Sequence, residues 1–198
     1  AEKVGNLITA VFARTYLANV RRQSGDLFTA EREFRAAIEM GIANHQQYSP
    51  AVSVASIGLA SLLSEWNRLD EAEETLTKGI AVLEQTQNRA LLASAQSTLS
   101  RLYVARGNLE AAFASLEAAD DIARESEQVT RLGMNESQRA WLHLLAEDYE
   151  WANQWAVKQT VPTVDNFTFE DYRTSLVLGA IWSKQKATAQ QAIDLLES

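Results

Sequence analysis

The sequence predicts an all-α solenoid of about five antiparallel helical hairpins, repeating about every 40 residues. Three observations carry that expectation. The chain of 198 residues has only 8 glycines and 2 prolines, too few turn formers for a sandwich or a barrel, while 46% hydrophobic residues suffice for a core. A phrase made of a turn pair, an apolar residue and an early alanine recurs along the chain. A small side chain also stands seven positions before most of these turns.

The phrase reads Gly25-Asp-Leu-Phe-Thr-Ala30, Asn67-Arg-Leu-Asp-Glu-Ala72, Gly107-Asn-Leu-Glu-Ala-Ala112, Glu147-Asp-Tyr-Glu-Trp-Ala152 and, more weakly, Lys184-Gln-Lys-Ala-Thr-Ala189. Its alanines are separated by 42, 40, 40 and 37 residues. Before each turn runs an apolar-periodic helix A, and after it a helix B. The small residues of helix A are Ala18, Ala60, Ser100 and Ala140, with Val177 the loosest match. Small side chains on both helices permit close approach. Leu17, Leu59 and Leu99 on A, and Phe34, Leu76 and Leu116 on B, are expected to fill the flanking space.

Turn chemistry supports each boundary. Gly25 and Gly107 suit a left-handed residue closing helix A. Asp26, Asn108 and Asp148 can cap helix B. Ser49-Pro50 reads as cap plus first helical residue of the second helix A. Thr168-Phe-Glu-Asp171 resembles a capping box for the fifth, and Val161 to Phe167 is the expected irregular linker, too short to divide domains. The whole of 1–198 is therefore expected to form one solenoid domain.

Several function classes find no support. A net charge of −8 without a basic block argues against direct nucleic-acid contact. No apolar run approaches a membrane span, and no signal peptide is visible, so a cytoplasmic setting without membrane association is expected. There is no cysteine, and His45 and His143 lie on different repeats without a ligand-spaced partner, so neither a metal nor another cofactor is expected. No phosphate-cradling loop and no nucleophile elbow are present, and no catalytic residue is assigned. The acidic pairs Glu73-Glu74, Asp120-Asp121 and Glu147-Asp148 point about 100° apart on a helix and are read as solvated faces or caps. Glu31 and Arg35 form an i,i+4 surface pair. Asn135-Glu-Ser and Asn166-Phe-Thr match the glycosylation triplet by chance.

The hairpin with Leu and a small residue in A, Gly or Asn at the turn and Ala early in B resembles the tetratricopeptide repeat (TPR). The longer phrases "EWNRLDEAEETLTKGIAVLE" (65–84) and "YVARGNLEAAFASLEAADDIARE" (103–125) resemble the sensor region of MalT-like, LuxR-type transcription activators. The usual repeat spans 34 residues. Here the period is longer, and the aromatic expected late in helix A occurs only as Tyr103. The resemblance implies a right-handed superhelix of tetratricopeptide-like hairpins. It further implies a middle fragment of a longer regulator that binds a small-molecule inducer or a protein or peptide partner, with ATPase and DNA-binding modules elsewhere. The start at Ala1 and the apolar final helix with Ile193, Leu195 and Leu196 fit that expectation and invite self-association. A stand-alone adaptor holding a peptide in its groove is the alternative.

In such arrays one helix A position faces a concave groove. Here that position is Asn19, Ser61, Arg101 and Trp141; Thr15, Ile57, Ser97 and Ser137 lie one turn earlier, with Arg22 and Ser64 near the far end. The expected ligand contacts are therefore Asn19, Arg22, Ser61, Ser97, Arg101, Ser137 and Trp141. An aromatic plate beside arginine and small hydroxyls suits a sugar, a peptide or a small metabolite. Packing against the next repeat is the competing role for Trp141. Trp66, Trp151 and Trp155 are expected to pack.

Overall fold

The structure, a computed structural model, describes residues 2–46, 49–159 and 169–184. All regular elements among them are α-helices. They are α1 (Glu2–Gln23), α2 (Leu27–Ala43), α3 (Pro50–Glu65), α4 (Leu69–Gln85), α5 (Arg89–Ala105), α6 (Leu109–Glu125), α7 (Val129–Leu145), α8 (Tyr149–Ala156) and α9 (Phe169–Ser183). The chain separates into two compact units, 1–128 with α1 to α6, and 129–198 with α7 to α9.

The helices end by one device. Gly25, His45, Asn67, Gln87, Gly107, Glu127 and Glu147 all have positive φ, spaced 20 residues apart but for one interval of 22. The N–H of the next residue then reaches back to the carbonyl five positions earlier: Asp26 to Arg21 at 2.9 Å, Arg68 to Leu63 at 2.9 Å, Asn108 to Tyr103 at 2.9 Å. This closure satisfies carbonyls that the helix end leaves open. The same residue then starts the next helix at most turns. Asp26, Asn88, Asn108 and Asp148 accept the N–H of Thr29, Leu91, Ala111 and Trp151 at 3.1 to 3.3 Å. Ser49 caps α3 from just before Pro50. Arg68 occupies the same place before α4 and cannot accept.

The repeat alanines carry the packing. Ala30, Ala72, Ala112 and Ala152 are fully buried, as are Ala18, Ser100 and Ala140; Ala60 and Val177 are nearly so. Phe34, Leu76 and Leu116 fill the B side and Leu59 the A side. Leu17 departs from the expectation: it is 43% exposed, because α1 packs on α2 and α3 with no hairpin on its other side among the described residues. Ala189 and the final apolar helix, Thr168 of the expected capping box, the linker at 161–167 and the triplet at Asn166 lie outside the described residues.

In the first unit each A helix touches the next, α1 with α3 and α3 with α5, while each B helix touches the following A helix. The A helices thus form a continuous row. In the second unit, α7, α8 and α9 close over Ala140, Leu144, Trp155, Leu178 and Ile181.

Candidate functional site

The row of α1, α3 and α5 brings Asn19, Ser61 and Arg101 to corresponding half-buried positions. Their polar atoms are already engaged. Asn19 Nδ2 donates to Thr15 O at 3.0 Å, Ser61 Oγ to Ile57 O at 3.0 Å, and Arg101 Nη2 to Thr98 Oγ1 at 2.8 Å. Arg22 is not a bare groove cation: its Nη1 pairs with Glu65 Oε1 of α3 at 2.6 Å, while its buried Nε has no hydrogen-bond partner among the described residues.

Two further expected contacts are largely buried. Ser97 is 1% exposed and Ser137 5%, with their hydroxyls donated to Ala93 O and Met134 O, both at 3.0 Å. Their position, one turn before the exposed one, turns inward, as Thr15 does at 1%. Trp141, in the second unit, is 37% exposed.

A second polar array lies on the B side of the first unit. Arg35 and Arg68 each pair with both Glu31 and Glu71, closing a four-charge ring between α2 and the start of α4. The hydrogen bond from Arg35 first, then that from Arg68, holds the Glu71 carboxyl below its ordinary pKa against the opposing effect of burial. One repeat further, Arg106 pairs with Asp70 at 2.6 Å and Glu73 at 2.8 Å, and Tyr103 Oη donates to Glu73 at 3.4 Å. Burial, then the Glu73 charge, pushes the Tyr103 phenol up. The sequence reading saw only Glu31–Arg35. The missed signal was opposite charges 36 or 37 residues apart, nearly one repeat.

Of the acidic pairs, Glu73, Glu74, Asp120 and Asp121 enter ion pairs and Asp148 caps α8. Asp120 is 5% exposed, with Arg124 at 3.8 Å. His143 stacks on Trp151 with centroids 4.1 Å apart, and its Nδ1 lies 3.0 Å from Asp148 Oδ2. Trp66 packs on Phe28 at 5.2 Å, and Trp155 is 7% exposed. These contacts give His143 and the three tryptophans structural work. Among the described residues no cluster of three or more metal-ligating side chains occurs, and no helix is long and apolar enough to cross a membrane.

The model of the MalT-like TPR region matches residues 1–198. The chain belongs to that family. Solved structures agree on the fold. The MalT-like region resembles a TPR-like repeat protein of the kinesin light chain type from Podosopora anserina, at 19% identity and TM-score 0.64, over 93% of this chain and 90% of that one. It resembles BtubC (BKLC) from P. vanneervenii at 18% identity and TM-score 0.71, over 96% and 81%. It also resembles a Rap protein complexed with Competence and Sporulation Factor at 12% identity and TM-score 0.74, over 96% of this chain and 53% of that one. At these identities the likeness concerns the fold alone. No curated protein matches the sequence.

Proposed function

We propose that this MalT-like region is a non-enzymatic, cytoplasmic sensing domain of a LuxR-type transcription regulator, binding a small inducer or a partner protein. The observation that carries the reading is the family match along the whole of 1–198, on a fold whose first unit sets the A helices α1, α3 and α5 in a row. Stacked repeats of this kind characteristically present extended binding surfaces. In the first unit Asn19, Ser61 and Arg101, with the Arg22–Glu65 pair, are the proposed contacts. Trp141 is proposed separately, as the second unit's own contact residue.

A second reading is a stand-alone adaptor that holds a peptide. Its support is the likeness to the Rap protein solved with Competence and Sporulation Factor. The gene separates the two: flanking ATPase and DNA-binding modules favour the regulator, and an open reading frame closing at residue 198 overturns it.

A metabolite screen by thermal shift tests binding itself, since a ligand of the native state alone raises stability. Hits should lose their effect in Arg101→Ala or Asn19→Ala. For Trp141→Ala, a folded protein without the ligand-dependent fluorescence change is expected. A folded Trp141→Ala protein that responds to ligand as wild type does would remove Trp141 from the proposal.

A further inference from the structure

A cleft of ≈ 340 Å³ opens in the first unit between α2 and α4, with α3 as its floor. That volume falls in the range of small-molecule sites. Its existence has a cause in the sequence. The repeat alignment places the larger residues Gln96 and Ala119 at the positions of Ser56 and Gly79 one repeat later. Ser53, Ser56 and Gly79 keep the floor low; even a Cβ at Gly79 would stand 3.5 Å from that of Ser56.

The lining has a defined polarity. Ile38, Ile42 and Val82 are apolar walls, with Ile42 54% exposed. Ser56 gives its proton to Val52 O at 3.0 Å, so its oxygen is left only to accept. Ser53, 2% exposed, lies beside Ser56 in the lining. Of the rim charges, Arg35 is held by Glu31 and Glu71, and Lys78 by Glu74 at 2.6 Å. The Glu39 carboxylate is left without such a partner among the described residues.

We propose that this cleft binds a small aliphatic ammonium compound carrying a second hydrogen-bond donor. Its methylenes lie between Ile38, Ile42 and Val82, its cation meets Glu39, and its other donor meets Ser53 and Ser56. The proposal is independent of the A-helix row, and its residues are not those proposed there.

The probe is 5-aminopentan-1-ol, titrated into the protein with amide NMR and thermal shift as readouts. Valerate, which also has five carbons but carries the opposite charge and no second donor, is the comparison. Saturable shifts at Ser53, Ser56 and Gly79, a rise in Tm and no response to valerate are expected. Glu39→Gln should weaken binding several-fold. The double variant Ser56→Gln/Gly79→Ala, which carries the following repeat's residues, should fold and lose the response. An equal response to valerate, perturbations confined to other surfaces, no saturable shift, or wild-type affinity in the folded double variant would each overturn the proposal. Should the double variant not fold, the wild-type amide map decides alone.

Discussion

Gly58 of α3 lies against the ring of Phe34 of α2 so closely that a Cβ at position 58 would stand 2.6 Å from Phe34 Cζ. Phe34 is fully buried and has nowhere to retreat. The hairpins of the first unit are therefore seated on each other partly through a missing side chain. Gly41, whose added Cβ would collide with Val52 Cγ2, acts likewise nearby.

Gly58→Ala should destabilise the protein. Overpacking costs about 1–3 kcal/mol, which outweighs the ~1 kcal/mol that alanine gains over glycine within a helix. Gly79→Ala is the matched control: its Cβ meets Ser56 at ordinary contact distance, so helix propensity should dominate and stability should rise by roughly 0.5–1 kcal/mol. Urea unfolding of both variants checks the contrast. Equal effects at the two glycines would refute the close seating of Phe34.

The turns give a second prediction. Gln87 holds a left-handed conformation at φ 52°, where Gly25 and Gly107 have a glycine. Gln87→Gly relieves that strain but frees the unfolded chain, so a net gain of up to about 1 kcal/mol is expected. Asn108→Ala removes the bond to Ala111 N–H and should cost about 1 kcal/mol. Chemical denaturation measures both, and a destabilised Gln87→Gly would contradict the strain at that turn.

Acid sensitivity should be detectable at the α7–α8 turn. The backbone N–H of Trp151 first, and then His143, hold the Asp148 carboxyl below its ordinary pKa. A carboxyl depressed in the folded state stabilises at pH values above its unfolded value, and that contribution fades as pH falls below about 4 through the folded value. Asp148→Asn keeps an oxygen for the cap and removes the titration. Its thermal midpoint should fall less between pH 6 and pH 2.5 than that of the wild type. Parallel pH profiles for the two proteins would show that Asp148 is not part of the acid response.

The charged ring on the B side should be coupled but modest. Both partners of Arg35–Glu71 are over a third exposed, so a double-mutant cycle with Arg35→Met and Glu71→Gln should give less than about 1 kcal/mol. That coupling should shrink as salt rises toward 1 M. A large coupling unaffected by salt would mean the ring is far better desolvated than its exposure suggests.

Much of the fold was legible because its determinants are local. The left-handed glycines, the Asp26, Asn108 and Asp148 caps and the Ser49-Pro50 start act within a few residues of chain, and their spacing alone marked the hairpins. The alanines were legible for a related reason: at a crossing this tight only a small side chain fits, so the requirement repeats with the hairpin. The candidate site was less legible. Asn19, Ser61 and Arg101 landed at corresponding positions of neighbouring helices, but Ser97 and Ser137, one turn away, turned inward.

The sequence by itself thus determined where helices begin and end and which small residues their crossings require, through turn, cap and period. Tertiary structure alone decided who meets whom. It joined Arg22 to Glu65, closed the ring of Arg35, Glu71, Arg68 and Glu31, brought Gly58 under Phe34, and left a cleft above Ser56 and Gly79. Each of these depends on a side chain of another helix, half a repeat or more away along the chain. Whether such a neighbour buries, pairs or leaves space depends on how two hairpins seat, which no local pattern encodes.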